Sequence, residues 1–419
     1  MSDTEIELNG RSYSWPNDPV VGVCIDGSEP GYIEEAVKAG VAPFFQRVME
    51  EGTNSIAQCV IPSFTNPNNI SIVTGRPPVV HGICGNFFYD RDTDSEIMMN
   101  DPKFLRAETI FSAFQSRGAR VCSITAKDKL RRLLGKDLSF GDGTAISFSA
   151  ETSDKVTMAE HGIEAVLDLV GLPVPDVYSA DLSEFIFAAG VKIMERDHPD
   201  IMYLSTTDYI QHKHAPGTPT ANAFYQMMDG YLTKLDEMGC IIAITADHGM
   251  NAKHDSAGAP NVIYLQQVLD DMLGEDAARV ILPITDPYVA HHGALGSYAT
   301  IYLSDGVDPG QLLEKLEAMD GIELALDRAA GCTRFELPED RVGDIIVVSG
   351  KSKVLGTTAS RHDLSGLNEP LRSHGGVSEQ RVPFLVNRAV DLPADEPLRN
   401  FDIYNVLLMD ILHRGSANL

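Results

Sequence analysis

Short apolar runs alternate with longer amphipathic segments along most of the chain. Val20–Ile25, Ile201–Ser205 and Cys240–Thr245 are runs of five or six mainly apolar residues, a pattern typical of strands that are buried on both faces. Ser183–Glu195 and Ala221–Met238 carry apolar residues at helical spacing and predict helices between such strands. This alternation predicts an α/β protein in which helices cover both faces of a mostly parallel sheet.

The same pattern fills the first third of the chain. Tyr32–Glu51 predicts one long helix, and Ser55–Ile61 and Arg120–Thr125 predict two further strands. Pro67 and an apolar segment follow Thr65, which predicts a helix that starts near Thr65 and is capped by its side chain. That position also suits a nucleophile, because free backbone N–H groups and the positive end of the helix dipole would attract a phosphoryl group there. The two interpretations of Thr65 are compatible.

After about residue 255 the pattern changes and then returns. A small α+β unit is predicted there, before Arg381–Val386 again has the composition of a buried strand. We therefore predict an inserted domain at residues 260–368, within a core formed by residues 1–259 and 369–419. The predicted elements of the insertion are strands Ala299–Leu303, Ile322–Leu326 and Asp344–Val348 and helix Pro309–Met319.

Composition and charge narrow the classes of partner. Of 419 residues, 43% are hydrophobic and 22% are charged, which is typical of a globular protein and excludes a mainly disordered or fibrous one. The formal net charge is −27, so the field around the protein repels nucleic acid and anionic membrane surfaces and concentrates cations. We expect neither nucleic acid nor a membrane as partner, and an anionic substrate would need a local cluster of positive charge.

The cysteines and the first residues predict a location in the cytoplasm. The six cysteines form no C-x-x-C pair, and Cys24 and Cys240 lie inside predicted strands, where cysteine acts as a small apolar residue. The first residues lack the basic and apolar regions of a signal peptide, and no apolar run approaches 18 residues. We therefore predict a cytoplasmic protein with no membrane-spanning helix.

Acidic side chains directly follow three of the predicted strands. Asp26 follows the first, where a capping aspartate is the simpler interpretation if it is taken alone. Asp208 and His212 are spaced i, i+4, which suits two ligands of one metal on one helical face but also an ordinary surface pair. Asp247 and His248 follow another strand in a turn that ends with glycine, where burial without a cation would be costly.

A fourth candidate precedes the returning strand. His374 lies beside two glycines, and an exposed loop histidine is an equally good interpretation of it alone. Together the candidates supply three carboxylates and three imidazoles, a set that suits two zinc-like ions. Two metals about 3.5–4 Å apart could hold the attacking and leaving atoms of a phosphoryl displacement. The His291–His292 pair is a weaker candidate for contact with the cleft.

Two lysines follow the predicted strand Arg120–Thr125. In an extended segment, Lys127 and Lys129 would lie on the same side and could form a local anion site. Because Arg131 and Arg132 come next, a solvated basic surface is an equally good interpretation.

In their order along the chain, these motifs resemble those of a known family. Asp-Gly after the first strand, Pro-Ser-Phe-Thr, a block at 74–86 that ends in Gly-Asn, Asp-x-x-x-His, Ala-Asp-His-Gly-Met and Ser-His-Gly-Gly resemble the alkaline phosphatase superfamily. The resemblance is strongest to its nucleotide pyrophosphatase/phosphodiesterase branch and, within it, to enzymes that hydrolyse the carbon–phosphorus bond of phosphonoacetate. It spans about residues 19–255 and 370–412.

The resemblance implies a fold and a metal centre. The fold would be an alkaline phosphatase-like three-layer αβα sandwich with an inserted cap domain. The centre would hold two Zn²⁺ ions, which the family normally binds. The implied ligands are Asp208, His212 and His374 for one ion, and Asp26, Thr65, Asp247 and His248 for the other.

It also implies an activity. Thr65 would attack the phosphorus of phosphonoacetate and form a phosphothreonine intermediate, and acetate and phosphate would be released. A nucleotide pyrophosphatase or phosphodiesterase with the same metals is the alternative, and a metal-binding protein without activity is a third hypothesis. The expected partner is a small phosphonate, and a homodimer is left open. The implied substrate contacts are Thr65, Asn86, whose amide would donate to a phosphoryl oxygen, Lys127 and Lys129, which would hold the carboxylate, and His212.

Overall fold

A computed structural model describes residues 5–284, 293–365, 367–392 and 397–409 of the chain. Its strands are short, and each strand predicted above is found within a few residues of its expected position. The strands are β1 Glu5–Leu8, β2 Arg11–Ser14, β3 Val20–Cys24, β4 Thr53–Gln58, β5 Phe87–Asp90, β6 Ser95–Met98, β7 Val121–Thr125, β8 Ala145–Ser149, β9 Ile201–Ser205, β10 Ile241–Thr245, β11 Asn251–Ala252, β12 Val262–Tyr264, β13 Ala278–Ile281, β14 Tyr298–Leu303, β15 Ile322–Asp327, β16 Ile345–Ser349, β17 Val354–Gly356, β18 Arg372–Ser373 and β19 Arg381–Val386.

One predicted helix is wrong. The segment Tyr32–Glu51 forms two helices, because Gly40 adopts a positive φ of 72° and Pro43 starts a new helix. The α-helices are α1 Pro30–Lys38, α2 Pro43–Glu51, α3 Thr65–Thr74, α4 Pro78–His81, α5 Ile110–Gln115, α6 Asp128–Leu134, α7 Met158–His161, α8 Val166–Val170, α9 Asp181–Asp197, α10 Tyr209–Lys213, α11 Pro219–Glu237, α12 Leu265–Leu273, α13 Pro309–Glu317, α14 Arg328–Phe335 and α15 Ile403–Leu407.

The central sheet has seven strands in the order β4-β19-β10-β3-β9-β7-β8. Strands β10, β3, β9, β7 and β8 are parallel neighbours, whereas β19 is antiparallel to both β10 and β4. The predicted mostly parallel sheet is therefore confirmed, with β19 as the reversed strand. All five carboxyl ends of the parallel neighbours meet at one edge.

Helices cover both faces of this sheet. Along β3, Val20 and Cys24 pack into one apolar cluster, whereas Val21 and Val23 pack into the other. This alternation follows from the period of two in a strand and explains why the whole run is apolar. One cluster contains side chains of α3, α5, α6 and α15, and the other contains side chains of α1, α2, α9 and α11. The predicted αβα layering is thus confirmed.

A second sheet lies within the predicted insertion. Strands β13, β14, β16 and β15 form a four-stranded antiparallel sheet in that order. Leu312 and Leu316 of α13 and Cys332 and Phe335 of α14 are buried in the cluster that also contains these strands. The boundaries 260 and 368 of the insertion stay a prediction. Across the described ranges, no helix is both long and apolar enough to cross a lipid bilayer.

Candidate active site

The acidic candidates meet at the edge where the parallel strands end. Asp26, Asp208 and Asp247 lie two or three residues beyond the ends of β3, β9 and β10, which are adjacent in the sheet. Gly27 allows the loop after β3 to approach the loop after β9. Its φ is 71°, and a Cβ at this position would lie 3.1 Å from Asp208 Cβ. The edge of the sheet therefore gathers three carboxyl groups that are far apart in sequence.

Asp208, His212 and His374 form one group of possible metal ligands. His212 Nε2 lies 2.8 Å from Asp208 Oδ2, and His374 Nε2 lies 3.8 Å from the same oxygen. His212 is one turn beyond Asp208 in α10, whereas His374 follows the short strand β18. The structure thus brings together the three residues that were predicted to share one ion.

A second group contains Asp26, Asp208 and His248. His248 Nε2 lies 3.3 Å from Asp26 Oδ1 and 3.8 Å from Asp247 Oδ2. The His248 and His374 rings stack at 3.6 Å between centroids, so the two groups are contiguous. Asp208 belongs to both groups, which the sequence did not indicate. The assignment of Asp247 to the second ion stays a prediction.

All three histidines direct Nε2 toward the carboxylates. In each ring Nδ1 lies within hydrogen-bond distance of a backbone carbonyl, so Nδ1 carries the proton and Nε2 presents a lone pair. This is the usual orientation of a metal-binding histidine, whose second nitrogen is fixed by a neighbouring acceptor. The pairs are His212 with Arg372 O at 2.8 Å, His248 with Gly249 O at 2.9 Å, and His374 with Ser63 O at 2.8 Å.

The electrostatics of the cluster favour a bound cation. Burial raises the pKa of Asp26 well above its usual value, and the nearby Asp208 and Asp247 carboxyls raise it further. Burial, with His248 and His212 nearby, lowers the pKa of His374 well below its usual value. Within the described ranges, Asp26 Oδ1 and His248 Nε2 are buried and have no hydrogen-bond partner. A divalent cation would satisfy these atoms, so the residues fit the predicted metals.

Thr65 is the first residue of α3 rather than its cap, since Phe64 occupies the capping position. Its side chain therefore does not serve as the predicted helix cap. Thr65, Asp26, Asp208 and His374 line the same cavity, which has a volume of about 400 Å³. The hydroxyl thus lies at the free N–H groups of a helix N-terminus and beside the metal-ligand cluster.

Asn86 also lines this cavity. Its backbone N–H donates to Pro283 O at 2.8 Å, and its carbonyl accepts from Met99 N at 2.9 Å. Two hydrogen bonds therefore fix the Asn86 backbone at the wall of the cavity that Thr65 lines. The predicted contact of Asn86 with a phosphoryl oxygen stays a prediction that this placement permits.

Lys127 and Lys129 both line the cavity, but the extended segment predicted for them is wrong. Lys127 precedes α6 in extended backbone, whereas Lys129 lies in the first turn of that helix. Lys127 Nζ donates to Val177 O at 2.9 Å and lies 5.7 Å from the centre of the Tyr178 ring. His212, also predicted to contact substrate, is not among the residues described as lining the cavity, and its contact stays a prediction.

Several residues of the cavity wall were not predicted. Val177 and Tyr178 come from the loop after α8, and Glu151 lies just beyond β8. Asn66 directly follows Thr65 and could have been found from the motif, but no sequence signal links the loop at 177 to the lysines. The His291–His292 pair lies outside the described residues.

Comparison with known proteins agrees with this geometry. A family model described as "Type I phosphodiesterase / nucleotide pyrophosphatase" matches residues 20–376. The chain belongs to this family. The type I phosphodiesterase/nucleotide pyrophosphatase match includes six of the seven strands of the central sheet, all but β19, and the motif around His374, so it covers every residue of the candidate site.

Solved structures of one relative are similar over almost the whole chain. The crystal structure of phosphonoacetate hydrolase from Sinorhizobium meliloti 1021 in complex with phosphonoformate is 59% identical, with a TM-score of 0.95 over 97% of this chain and 99% of that chain. The same enzyme in complex with phosphonoacetate is 58% identical over the same shares. Murine ectonucleotide pyrophosphatase/phosphodiesterase 5 is 18% identical with a TM-score of 0.63 over 93% of this chain and 94% of that chain, and shares the fold.

The curated ectonucleotide pyrophosphatase/phosphodiesterases that match are longer than this chain. Ectonucleotide pyrophosphatase/phosphodiesterase 1 of Saccharomyces cerevisiae is 24% identical in an alignment of 336 positions that covers 74% of this chain and 42% of that protein. The chain therefore spans less than half the length of that relative. Phosphonoacetate hydrolase of Penicillium oxalicum is 61% identical over 31 residues, 7% of this chain and 43% of that protein.

Proposed function

We propose that the protein hydrolyses the carbon–phosphorus bond of phosphonoacetate and releases acetate and phosphate. The observation that carries the proposal is one cavity that joins Thr65 and the metal-ligand cluster to Lys127 and Lys129. Phosphonoacetate needs such a site, because its phosphonate and carboxylate groups are both anionic and only one carbon apart. The relative at 58–59% identity, whose structures contain phosphonoacetate or phosphonoformate, supports the same substrate.

The proposal includes two Zn²⁺ ions. Asp208, His212 and His374 would hold one, and Asp26, Thr65, Asp247 and His248 would hold the other. When bound, zinc supplies positive charge that lowers the pKa of a hydroxyl and stabilises charge on phosphoryl oxygens. The Nε2 lone pairs and the buried carboxylates are the ligand types that zinc takes, and no thiolate is required.

The reaction would proceed in two displacements at phosphorus. Thr65 Oγ1 loses its proton to solvent and attacks phosphorus, forming the O–P bond of a phosphothreonine while the P–C bond breaks. The electron pair of that bond passes to the acetate carbon and delocalises into its carboxylate. Lys127 and Lys129 would stabilise this enolate-like charge, and a proton from solvent would complete acetate.

The second displacement regenerates the enzyme. A water molecule attacks the phosphothreonine, the O–P bond to Thr65 breaks, and the threonine oxygen regains a proton as phosphate leaves. Asn86 would donate to a phosphoryl oxygen in both steps, because it lines the same cavity as Thr65 at the N-terminus of α3.

Release of phosphate from phosphonoacetate by the zinc-loaded protein tests the proposal. We expect phosphate at a rate that a chelator abolishes, with slower cleavage of a bis-aryl phosphodiester. The family match favours phosphodiester cleavage as the second candidate, and cleavage of the diester alone would replace the first proposal by it. Zinc binding without turnover of either substrate would leave a metal-binding protein.

A further inference from the structure

The buried side chain of Asn69 contacts both the metal-ligand cluster and the residue that the proposed function assigns as nucleophile. Asn69 lies in α3, four residues after Thr65, so the two side chains share one face of that helix. Its Nδ2 donates to Asp247 Oδ2 at 3.2 Å and to the backbone oxygen of Thr65 at 3.0 Å. One amide group therefore joins a carboxylate of the metal-ligand cluster to the residue proposed as nucleophile.

Two hydroxyl groups fix the orientation of this amide. Tyr203 and Ser205 lie on the same face of β9, two residues apart, and both donate to Asn69 Oδ1, at 2.7 and 2.9 Å. A flipped amide would turn its oxygen toward the Asp247 carboxylate and the Thr65 carbonyl, which are both acceptors. The flipped state would therefore create two repulsive contacts, and the hydroxyls hold the donor toward Asp247.

The backbone fixes the other oxygen of Asp247. Oδ1 accepts from Gly27 N at 3.2 Å and from His248 N at 3.0 Å. Because Asn69 donates to Oδ2, the Asp247 carboxylate cannot rotate without losing at least one of these three hydrogen bonds. Oδ2, at 3.8 Å from His248 Nε2, keeps a second lone pair for an ion.

We infer that Asn69 is a positioning residue that fixes Asp247 against the N-terminus of α3, and so sets the geometry between one metal ion and Thr65. The inference rests on the metal-binding part of the proposed function. Its expected consequence is specific to one of the two ions, because the four hydrogen bonds of the Asn69 amide go to Asp247, Thr65, Tyr203 and Ser205, and Asp247 is the only proposed zinc-binding carboxylate among these four.

The test is zinc binding by the full chain, measured by competition with a chromophoric chelator and by bound zinc per protein. In Asn69→Asp, a carboxylate oxygen replaces the donor that faces Asp247. We expect one zinc to keep its wild-type affinity and the other to bind about 10- to 100-fold more weakly. If phosphonoacetate is turned over, kcat should fall with little change in KM, because substrate contacts are retained.

Asn387→Asp is the matched control. Asn387 is also buried, and its Nδ2 donates to the carboxylate of Asp236 at 2.6 Å and to a backbone carbonyl, Cys240 O, at 2.9 Å. Asn387 follows β19, and its Oδ1 accepts from Ile242 N near the start of β10. Asp247 follows the other end of β10, so the two sites lie at opposite edges of the sheet. The same chemical change there should leave both zinc affinities at wild-type values.

Two results would overturn the inference. One is that Asn69→Asp binds both ions with wild-type affinity, and the other is that Asn69→Asp and Asn387→Asp weaken the binding of both ions to the same extent. If Asn69→Asp does not fold, the double variant Tyr203→Phe with Ser205→Ala frees the amide to rotate, and about a 3- to 10-fold weakening of one ion is expected. Unchanged binding in that variant would also overturn it. Wild-type protein that binds two zinc ions but leaves phosphonoacetate intact would refute the proposed substrate and not this inference.

Discussion

The candidate site has two halves that are held in different ways. The first half is the metal-ligand cluster of three aspartates and three histidines, and the second half is the part of the cavity around Lys127 and Lys129. In the first half, His212, His248 and His374 are at most 5% exposed, and each ring is fixed by a backbone carbonyl. In the second half, Lys127 contacts a loop carbonyl and lies beside Tyr178, which is 49% exposed. The groups proposed to act at phosphorus thus lie at strand ends and are held by buried hydrogen bonds, whereas the groups proposed to select the substrate lie at a helix start and on a surface loop. Substitutions in the second half can therefore change substrate contacts without breaking the buried hydrogen bonds of the first.

Removing the nucleophile should give the largest effect. Thr65→Ala removes the only hydroxyl proposed to attack phosphorus, so turnover of phosphonoacetate should fall by at least about 10³-fold. Zinc content, measured by elemental analysis, should remain largely intact because the other ligands are present. Thr65→Ser serves as the control and should recover part of the activity. A wild-type rate in Thr65→Ala would remove Thr65 from the mechanism.

Removing zinc should lower both the activity and the stability of the protein. Both effects should arise in the first half of the site, because the aspartates and histidines proposed to bind zinc lie there. Dialysis against a chelator should abolish turnover and leave the buried carboxylates without a counter-ion. At a free zinc concentration about 1,000 times Kd, a single site stabilises the fold by about 4 kcal/mol. Thermal unfolding with and without zinc should therefore differ by roughly 5–10 °C. An identical midpoint in both conditions would contradict the metal assignment.

Removing either cavity lysine should act on the second half alone. Lys127→Met or Lys129→Met deletes a charged hydrogen-bond donor, and kcat/KM for phosphonoacetate should fall about 10- to 100-fold. Cleavage of a bis-aryl phosphodiester, which has no carboxylate, should change little. Lys136→Met is the control, since this lysine lies just beyond α6 and pairs with Asp137 at 2.7 Å. Equal losses on both substrates would mean that the lysines act on phosphorus or on the fold.

Tyr178 should give the smallest effect. Its ring lies 5.7 Å from Lys127 Nζ, and an exposed cation–π contact contributes about 0.5–1 kcal/mol. Tyr178→Ala should therefore raise KM for phosphonoacetate about 2- to 5-fold, measured by phosphate release at varied substrate. Tyr178→Phe keeps the ring and should behave like wild type. A loss in Tyr178→Phe equal to that in Tyr178→Ala would assign the effect to the hydroxyl.

The first half was also the more predictable from sequence. Asp26, Asp208 and Asp247 could be found because apolar runs mark buried strands and the carboxyl ends of parallel strands coincide. The sharing of Asp208 between two groups could not be predicted, since it depends on distances of a few ångströms between loops. The single helix predicted over Tyr32–Glu51 was wrong because apolar periodicity continues through Gly40 and Pro43, although the helix breaks there.

The second half lacked a comparable signal. Lys127 and Val177 are 50 residues apart, and the loop that carries Val177 and Tyr178 has no periodic pattern. Strand β8, which precedes Glu151, also was not predicted. Asn69 illustrates a further limit, because its role depends on which way an amide faces and therefore on Tyr203 and Ser205 in a distant strand.

The hydrogen bond between His374 and Ser63 has a consequence for biosynthesis. It joins residues 311 positions apart, and almost everything between them, including the predicted insertion, must be made before the ring can take its place. A nascent chain carries Thr65 and Asp208 long before His374 leaves the ribosome. The group that contains Asp208, His212 and His374 is therefore completed late in translation, and the proposed metal ion would find all three ligands together only after the chain has folded back on itself.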